Sequence, residues 1–260
     1  RGRVLYASND ITTALNYWRR LVDASDRWAR VRAQRSLIEH DLQSNVITRT
    51  EAIEKLEQLR FAWRGDQLEF NLLRRLGALY LEEKDFVSGL TALRQAVTFF
   101  PNNVEARVVS KRMISQFSSI YTDGTADSMT PLTALSMYDQ FRELTPVGRR
   151  GDKIIQRLAD RLVEVDLLDR ASILLDRQVK FRLRGKQKAK VGSKLALIRL
   201  LDRQPKMALD ALNESVSPGL DSALALERKR LRSRSVFELG DSESGLKLIT
   251  NDSSRKADLL

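Results

Sequence analysis

His40 is the sole imidazole of the chain, and Glu39 and Asp41 flank it. A histidine beside carboxylates is raw material for acid–base chemistry. Consecutive helical residues point about 100° apart, however, so these three do not converge. A surface or capping role is expected for His40. Arg184-Gly185-Lys186 lacks the preceding glycine and the strand that a phosphate-cradling loop needs. Asp166 and Asp169 stand at helical spacing beside Arg170 and read as surface ion pairs. With Cys at zero there is no disulfide, thiolate zinc site or cysteine nucleophile. A single His leaves no His pair for a metal and no spare imidazole for a serine triad. No catalytic residue, metal site or cofactor is therefore expected, and the chain is read as a non-enzyme.

The charge is more informative. Lys+Arg total 45 against 34 for Asp+Glu, a formal net charge of +11. One cluster comprises Lys180, Arg182, Arg184, Lys186, Lys188, Lys190 and Lys194; another comprises Arg228, Lys229, Arg230, Arg232 and Arg234. Such clusters attract acidic protein, anionic lipid headgroups or nucleic acid. They are also what a solvated helix face looks like. Stacking on bases would need aromatics among the cations. Phe181 is the only one within the first cluster, and Phe237 lies just beyond the second. An acidic protein or peptide is thus the expected partner and nucleic acid is not. Binding of nucleic acid or an anionic surface through residues 180–194 and 228–234 stands as the alternative.

The elements that carry these residues follow from periodicity. Gly (12) and Pro (5) are scarce, and good helix formers dominate. Apolar residues recur at helical spacing: Ala52, Leu56 and Leu59; Leu72, Leu73, Leu76, Leu79 and Tyr80; Leu158, Leu162 and Val165. The fold class is all-α. A small residue recurs at Ala14, Ala52, Gly89, Ala134, Ala171, Ala208 and Gly245, in steps of 38, 37, 45, 37, 37 and 37. Four residues past each stands a large one: Trp18, Leu56, Leu93, Tyr138, Leu175, Leu212 and Ile249. Four residues is one turn along a face, so the slim residue admits a neighbouring helix and its companion fills the groove beside it. The long step marks a loop inserted over residues 121–131, after which Pro131 suits a first helical turn capped by Thr130 or Ser128. The clearest unit has helices over 70–83 and 86–99, joined at Lys84-Asp85 and closed by Pro101-Asn102-Asn103. Antiparallel helix pairs stacked at a constant period of about 37 residues make an α-solenoid. Residues 1–260 read as one such domain.

Leu76-Gly77, Tyr80, Gly89, Leu93, Ala96 and Pro101 fall at the offsets of the tetratricopeptide repeat, and this unit resembles that family. Leu158-Ala159, Leu162, Ala171 and Leu175 keep the pattern, as do Leu195-Ala196, Ala208 and Leu212. The period departs from the family's 34 residues. The resemblance implies a right-handed superhelix, a protein-binding scaffold without catalysis, and a concave groove lined by the first helix of each pair. Mapped by the anchors, one lining row is Leu81, Val163, Leu200 and Phe237; its bland reading is packing between first helices. Polar lining residues include Arg74, Lys153, Gln156, Lys190, Arg230 and Arg234. The family's carboxylate clamp uses a Lys and an Asn; Arg74 and Ala78 stand at those places, so that clamp is not expected.

No apolar run reaches the roughly 18–20 residues that span a bilayer. The chain has no starting Met and is expected to be a piece of a longer protein, part of a bacterial assembly. Its lack of Cys places the periplasm ahead of the cytoplasm. Apolar end surfaces of a truncated array would favour self-association.

Overall fold

The computed structural model describes residues 1–249; the last stretch of the expected domain, 250–260, lies outside the described residues. Every regular element among the described residues is helical. Contacts divide the chain into two units, Arg1–Phe117 and the residues from Ser118 onward. The first holds α1 (Gly2–Ala7), α2 (Ile11–Leu21), α3 (Arg27–Gln43), α4 (Arg49–Ala62), α5 (Gln67–Glu82) and α6 (Phe86–Phe99). The division falls within α7 (Ala106–Thr122). The second then holds α8 (Pro131–Gln140), α9 (Arg149–Glu164), α10 (Leu168–Phe181), α11 (Gly185–Leu201), α12 (Pro205–Glu214), α13 (Ser222–Glu238) and α14 (Ser242–Ile249). Each helix packs on its successor from α1 to α6 and again from α8 to α14, an arrangement consistent with a helical repeat.

Local chemistry explains where the helices start. Thr48 opens α4 with a capping box: the Glu51 amide donates to Thr48 Oγ1 at 3.2 Å, and the Thr48 amide donates to Glu51 Oε2 at 2.7 Å. Those bonds hold the Glu51 carboxyl below its usual range. Asp66 and Asp85 cap α5 and α6. Thr130 caps α8 with Pro131 at its first position, as its sequence suggests.

One turn recurs between paired helices. Asn9, Asn45, Lys84, Asp166, Arg203 and Gly240 all have positive φ, between 54° and 96°. In each case the following amide donates to a carbonyl five residues back. The pairs are Asp10 to Leu5, Val46 to Asp41, Asp85 to Tyr80, Leu167 to Leu162, Gln204 to Arg199 and Asp241 to Val236. This is the Schellman geometry, which satisfies carbonyls that a helix end leaves open. Five of the six left-handed residues carry a side chain, at a cost of about 1–2 kcal/mol each, so packing around the turn must hold them there.

The packing is visible at the small residues. Ala14, Gly89, Ala171, Ala208 and Gly245 each lie five residues past one of those turns, and all are buried. Ala52 and Ala134 are buried too. A methyl placed on Gly89 would lie 2.7 Å from Leu81 Cγ and 3.1 Å from the Gly77 carbonyl oxygen. One on Gly245 would lie 3.3 Å from Phe237 Cβ and 3.2 Å from the Ser233 carbonyl oxygen. In both cases the neighbours stand eight and twelve residues earlier. The slim residue therefore sits where the two helices of one hairpin cross. Of the large companions, Trp18, Leu56, Leu93, Tyr138, Leu175 and Leu212 are buried and Ile249 is half-buried.

The inserted segment is shorter than its composition suggests. Tyr121 and Thr122 complete α7, and Thr125–Ser128 forms a 3-10 turn, so the loop is narrower than 121–131. Tyr121 belongs to the helix because its ring is buried and its hydroxyl donates to the Ala134 carbonyl at 2.7 Å. Arg161 in α9 ties the segment down, donating to the Ala126 and Met129 carbonyls at 2.7 and 2.6 Å.

Candidate partner-binding surface

The apolar row does not form one accessible ridge. Leu81 and Phe237 lie beside Gly89 and Gly245, each against the second helix of its own hairpin. Phe237 remains 44% exposed, Leu81 and Val163 are half-buried, and Leu200 is 2% exposed. Leu200 thus offers a partner no surface. The bland reading of the row is close to what is seen, except that the packing at Leu81 and Phe237 is within a hairpin rather than between first helices.

Among the polar lining residues, Arg74 is ion-paired with Glu105 and Arg234 Nε donates to Glu238 at 2.7 Å. Gln156 and Arg230 are half-buried, and Lys153 and Lys190 are exposed. Asp160 of α9 pairs with Lys194 of α11, which brings these first helices together at one point.

The basic clusters dissolve into internal partnerships. Lys180 Nζ meets Asp176 at 2.8 Å, which raises the lysine above its usual range. Arg182 Nε donates to Asp152 at 3.1 Å, and Arg182 Nη2 donates to the Pro146 carbonyl at 2.6 Å. Arg184 turns back on the Leu183 carbonyl. Arg232 donates to Asn213 Oδ1 at 2.6 Å. Arg228 is only 9% exposed. Its guanidinium donates to the carbonyls of Ala189 at 2.8 Å and Leu212 at 2.6 Å, and to Ser215 Oγ at 3.1 Å. Burial, with Arg232 nearby, lowers its pKa from the usual value. The Leu212 carbonyl lies in the last turn of α12, where a cation complements the helix dipole. Arg199 does similar work, donating to Asp176 and to the Met207 carbonyl. Arg182, Arg199 and Arg228 thus each donate to backbone carbonyls.

Lys180, Arg184, Lys186, Lys190 and Lys229 of the clusters remain exposed. Lys186 and Lys190 are exposed one turn apart on α11, with Lys188 half-buried between them. The first turn of α11 carries no acidic residue and no side-chain cap. Phe181, just before this helix, is 76% exposed. Asp169 and Arg170 form the expected surface pair at 3.7 Å. Among the described residues no group of His, Asp or Glu could hold a metal ion, and no helix is long and apolar enough to cross a membrane.

Sequence reasoning placed His40 on a helix surface but missed its partner. It is half-buried, its Nδ1 3.1 Å from the Tyr6 hydroxyl, with the two rings edge-on at 5.7 Å. The missed signal is long-range: Tyr6 stands 34 residues away, beyond any helical spacing.

No protein-family model matches the chain, and no curated protein matches it. Among solved structures it is similar to BtubC (BKLC) from P. vanneervenii, with 16% identity over 82% of this chain and 88% of that one, at a TM-score of 0.37.

Proposed function

We propose that the chain is a non-catalytic scaffold that binds an acidic protein or peptide. In this reading its units are tetratricopeptide-like stacks of right-handed superhelical sense, with a period of about 37 residues. Support for the period comes from α10, α12 and α14, which open at Leu168, Pro205 and Ser242, 37 residues apart. The preceding turns at Asp166, Arg203 and Gly240 keep the same interval.

The observation that carries the binding reading is the Lys186–Lys190 pair. These cations are exposed one turn apart on α11, and the exposed Phe181 precedes that helix in sequence. Cations at the positive end of a helix raise the local potential. A partner carboxylate near them relieves that potential, and an apolar partner group covers Phe181. Steering by charge and anchoring by a few apolar groups is how such surfaces gain rate and affinity.

The test is a two-step binding experiment. Affinity capture identifies a partner, and the purified pair is then titrated. The double variant Lys186→Glu/Lys190→Glu is expected to weaken binding at least about tenfold, the scale of two charge-assisted contacts. Raising salt from about 0.1 M to about 1 M, which shortens the screening length from ~10 to ~3 Å, should weaken the wild type as well. Affinity unchanged by both would overturn the reading.

A further inference from the structure

Two neighbouring cavities open in the first unit, at the α1–α2–α3 end. One, of about 210 Å³, is lined by residues including Arg3, Tyr6, Trp18, Arg35, Glu39 and His40. The other, of about 340 Å³, shares Arg3, Trp18 and Ser36 with it and adds Trp28 and Arg32. Two features set this place apart. The walls are aromatic: the Tyr6 and Trp18 rings lie 5.3 Å apart, and Arg32 stacks its guanidinium 4.1 Å over the Trp28 ring. The charge is also unbalanced. Arg3 lines both cavities, Arg35 the first and Arg32 the second, and the lining carboxylate, Glu39, already accepts from Arg75 Nε through both oxygens at 3.0 Å. Arg35 Nε is buried and has no hydrogen-bond partner. A buried donor left open is costly, at about 1–3 kcal/mol, and marks a place where an acceptor belongs. Burial pushes the Arg35 guanidinium down from its usual value; Glu39 opposes this, and Arg3, Arg74 and Arg32 add to it.

We propose that these paired cavities bind a small aromatic anion of the mononucleotide class, its phosphate beside Arg3 and Arg35 and its ring against the tryptophan wall. The first cavity, at about 210 Å³, falls short of the roughly 300–1,000 Å³ of ordinary ligand pockets, and the second, at about 340 Å³, only just reaches that range. Together they suit a ligand with two parts. A phosphate supplies acceptors for the forked arginine donors, and a flat ring can stack against the Trp18 ring, which lines both cavities. The site is separate from the α11 surface and stands or falls independently of the scaffold reading.

The test is isothermal titration of the chain with AMP, CMP, adenosine, ribose 5-phosphate and inorganic phosphate, with tryptophan fluorescence as a second readout. AMP or CMP should bind saturably and change the fluorescence. Adenosine, which lacks the anion, and ribose 5-phosphate and phosphate, which lack the ring, should each bind at least about tenfold more weakly. Arg35→Gln should cost at least about tenfold in affinity. Because Arg35 is half-buried, Arg3→Gln at an exposed position serves as a second variant, with circular dichroism confirming the fold. The inference is overturned if neither nucleotide binds the folded chain at millimolar concentration. Phosphate binding as tightly as AMP, or folded Arg3→Gln binding as tightly as wild type, would overturn it too.

Discussion

Gly77 of α5 and Gly89 of α6 face each other, so that a methyl on either would lie within 3.0–3.1 Å of the other's carbonyl oxygen. The hairpin closes there because neither residue has a side chain. Replacing glycine by alanine inside a helix gains about 1 kcal/mol in propensity, whereas forcing atoms into a packed seam loses about 1–3 kcal/mol. Leu93 and Leu81 stand 2.5 and 2.7 Å from the two methyl positions, so the loss should win. Gly77→Ala and Gly89→Ala are each expected to lower stability in urea, by about 1 kcal/mol net. The double variant should lose more than the sum, since the two methyls share one space.

Arg228 offers a second test. Removing it leaves the Leu212 and Ala189 carbonyls without its donors. Arg228→Leu should destabilise by about 2–3 kcal/mol, the scale of charged hydrogen bonds lost in a buried site. Arg232→Leu, whose partner is the side chain of Asn213, should stay within about 0.5 kcal/mol. Equal losses in equilibrium unfolding would mean that Arg228 is not the internal tie described.

These seams were legible in the sequence because a slim residue and a large one at a fixed offset leave a pattern in residue types. Ala14, Ala171, Ala208 and Gly245 all proved buried. Of the turns, the one at Lys84-Asp85 was legible and the shared conformation of the set was not. Asn9, Lys84, Asp166, Arg203 and Gly240 share a backbone conformation but no chemistry, and tertiary packing rather than propensity selects it. The basic clusters misled for a related reason. Sequence shows that Arg182, Arg228 and Lys194 are near other cations, but not that Pro146, Leu212 and Asp160 wait on other segments of the chain. The aromatic cavity joins residues from α1, α2 and α3 and has no local signature at all.

Tyrosine ionisation gives a pH test. Burial, with Glu57 accepting from its hydroxyl at 3.2 Å, pushes Tyr80 up to about 12. Burial, with Tyr138 and Asp139 nearby, pushes Tyr121 up further still. A tyrosine raised in the folded state contributes stability that is complete below its unfolded pKa near 10 and is lost as pH climbs through the folded value. Stability should therefore fall between about pH 10 and 12. In an ultraviolet titration, Tyr80→Phe should leave the signal up to about pH 11 almost unchanged. Loss of one full tyrosine's signal by that point would contradict the assignment.

The exposed lysines and arginines behind the net charge of +11 are spread over many helices, with few aromatics among them for bases to stack on. Gel shifts with random RNA and DNA at about 0.15 M salt should show no retained complex. A complex retained at that salt, weakened by Lys186→Glu/Lys190→Glu and lost as salt is raised further, would favour nucleic acid over an acidic protein.

The most direct measurement is urea unfolding of Ala171→Leu and Ala208→Leu beside Ala225→Leu. Ala171 and Ala208 are fully buried and Ala225 is exposed on a helix. Hairpins stacked through slim residues predict losses of at least about 1–3 kcal/mol at the first two positions and a change within about 0.5 kcal/mol at the third. All three variants unfolding like the wild type would contradict it.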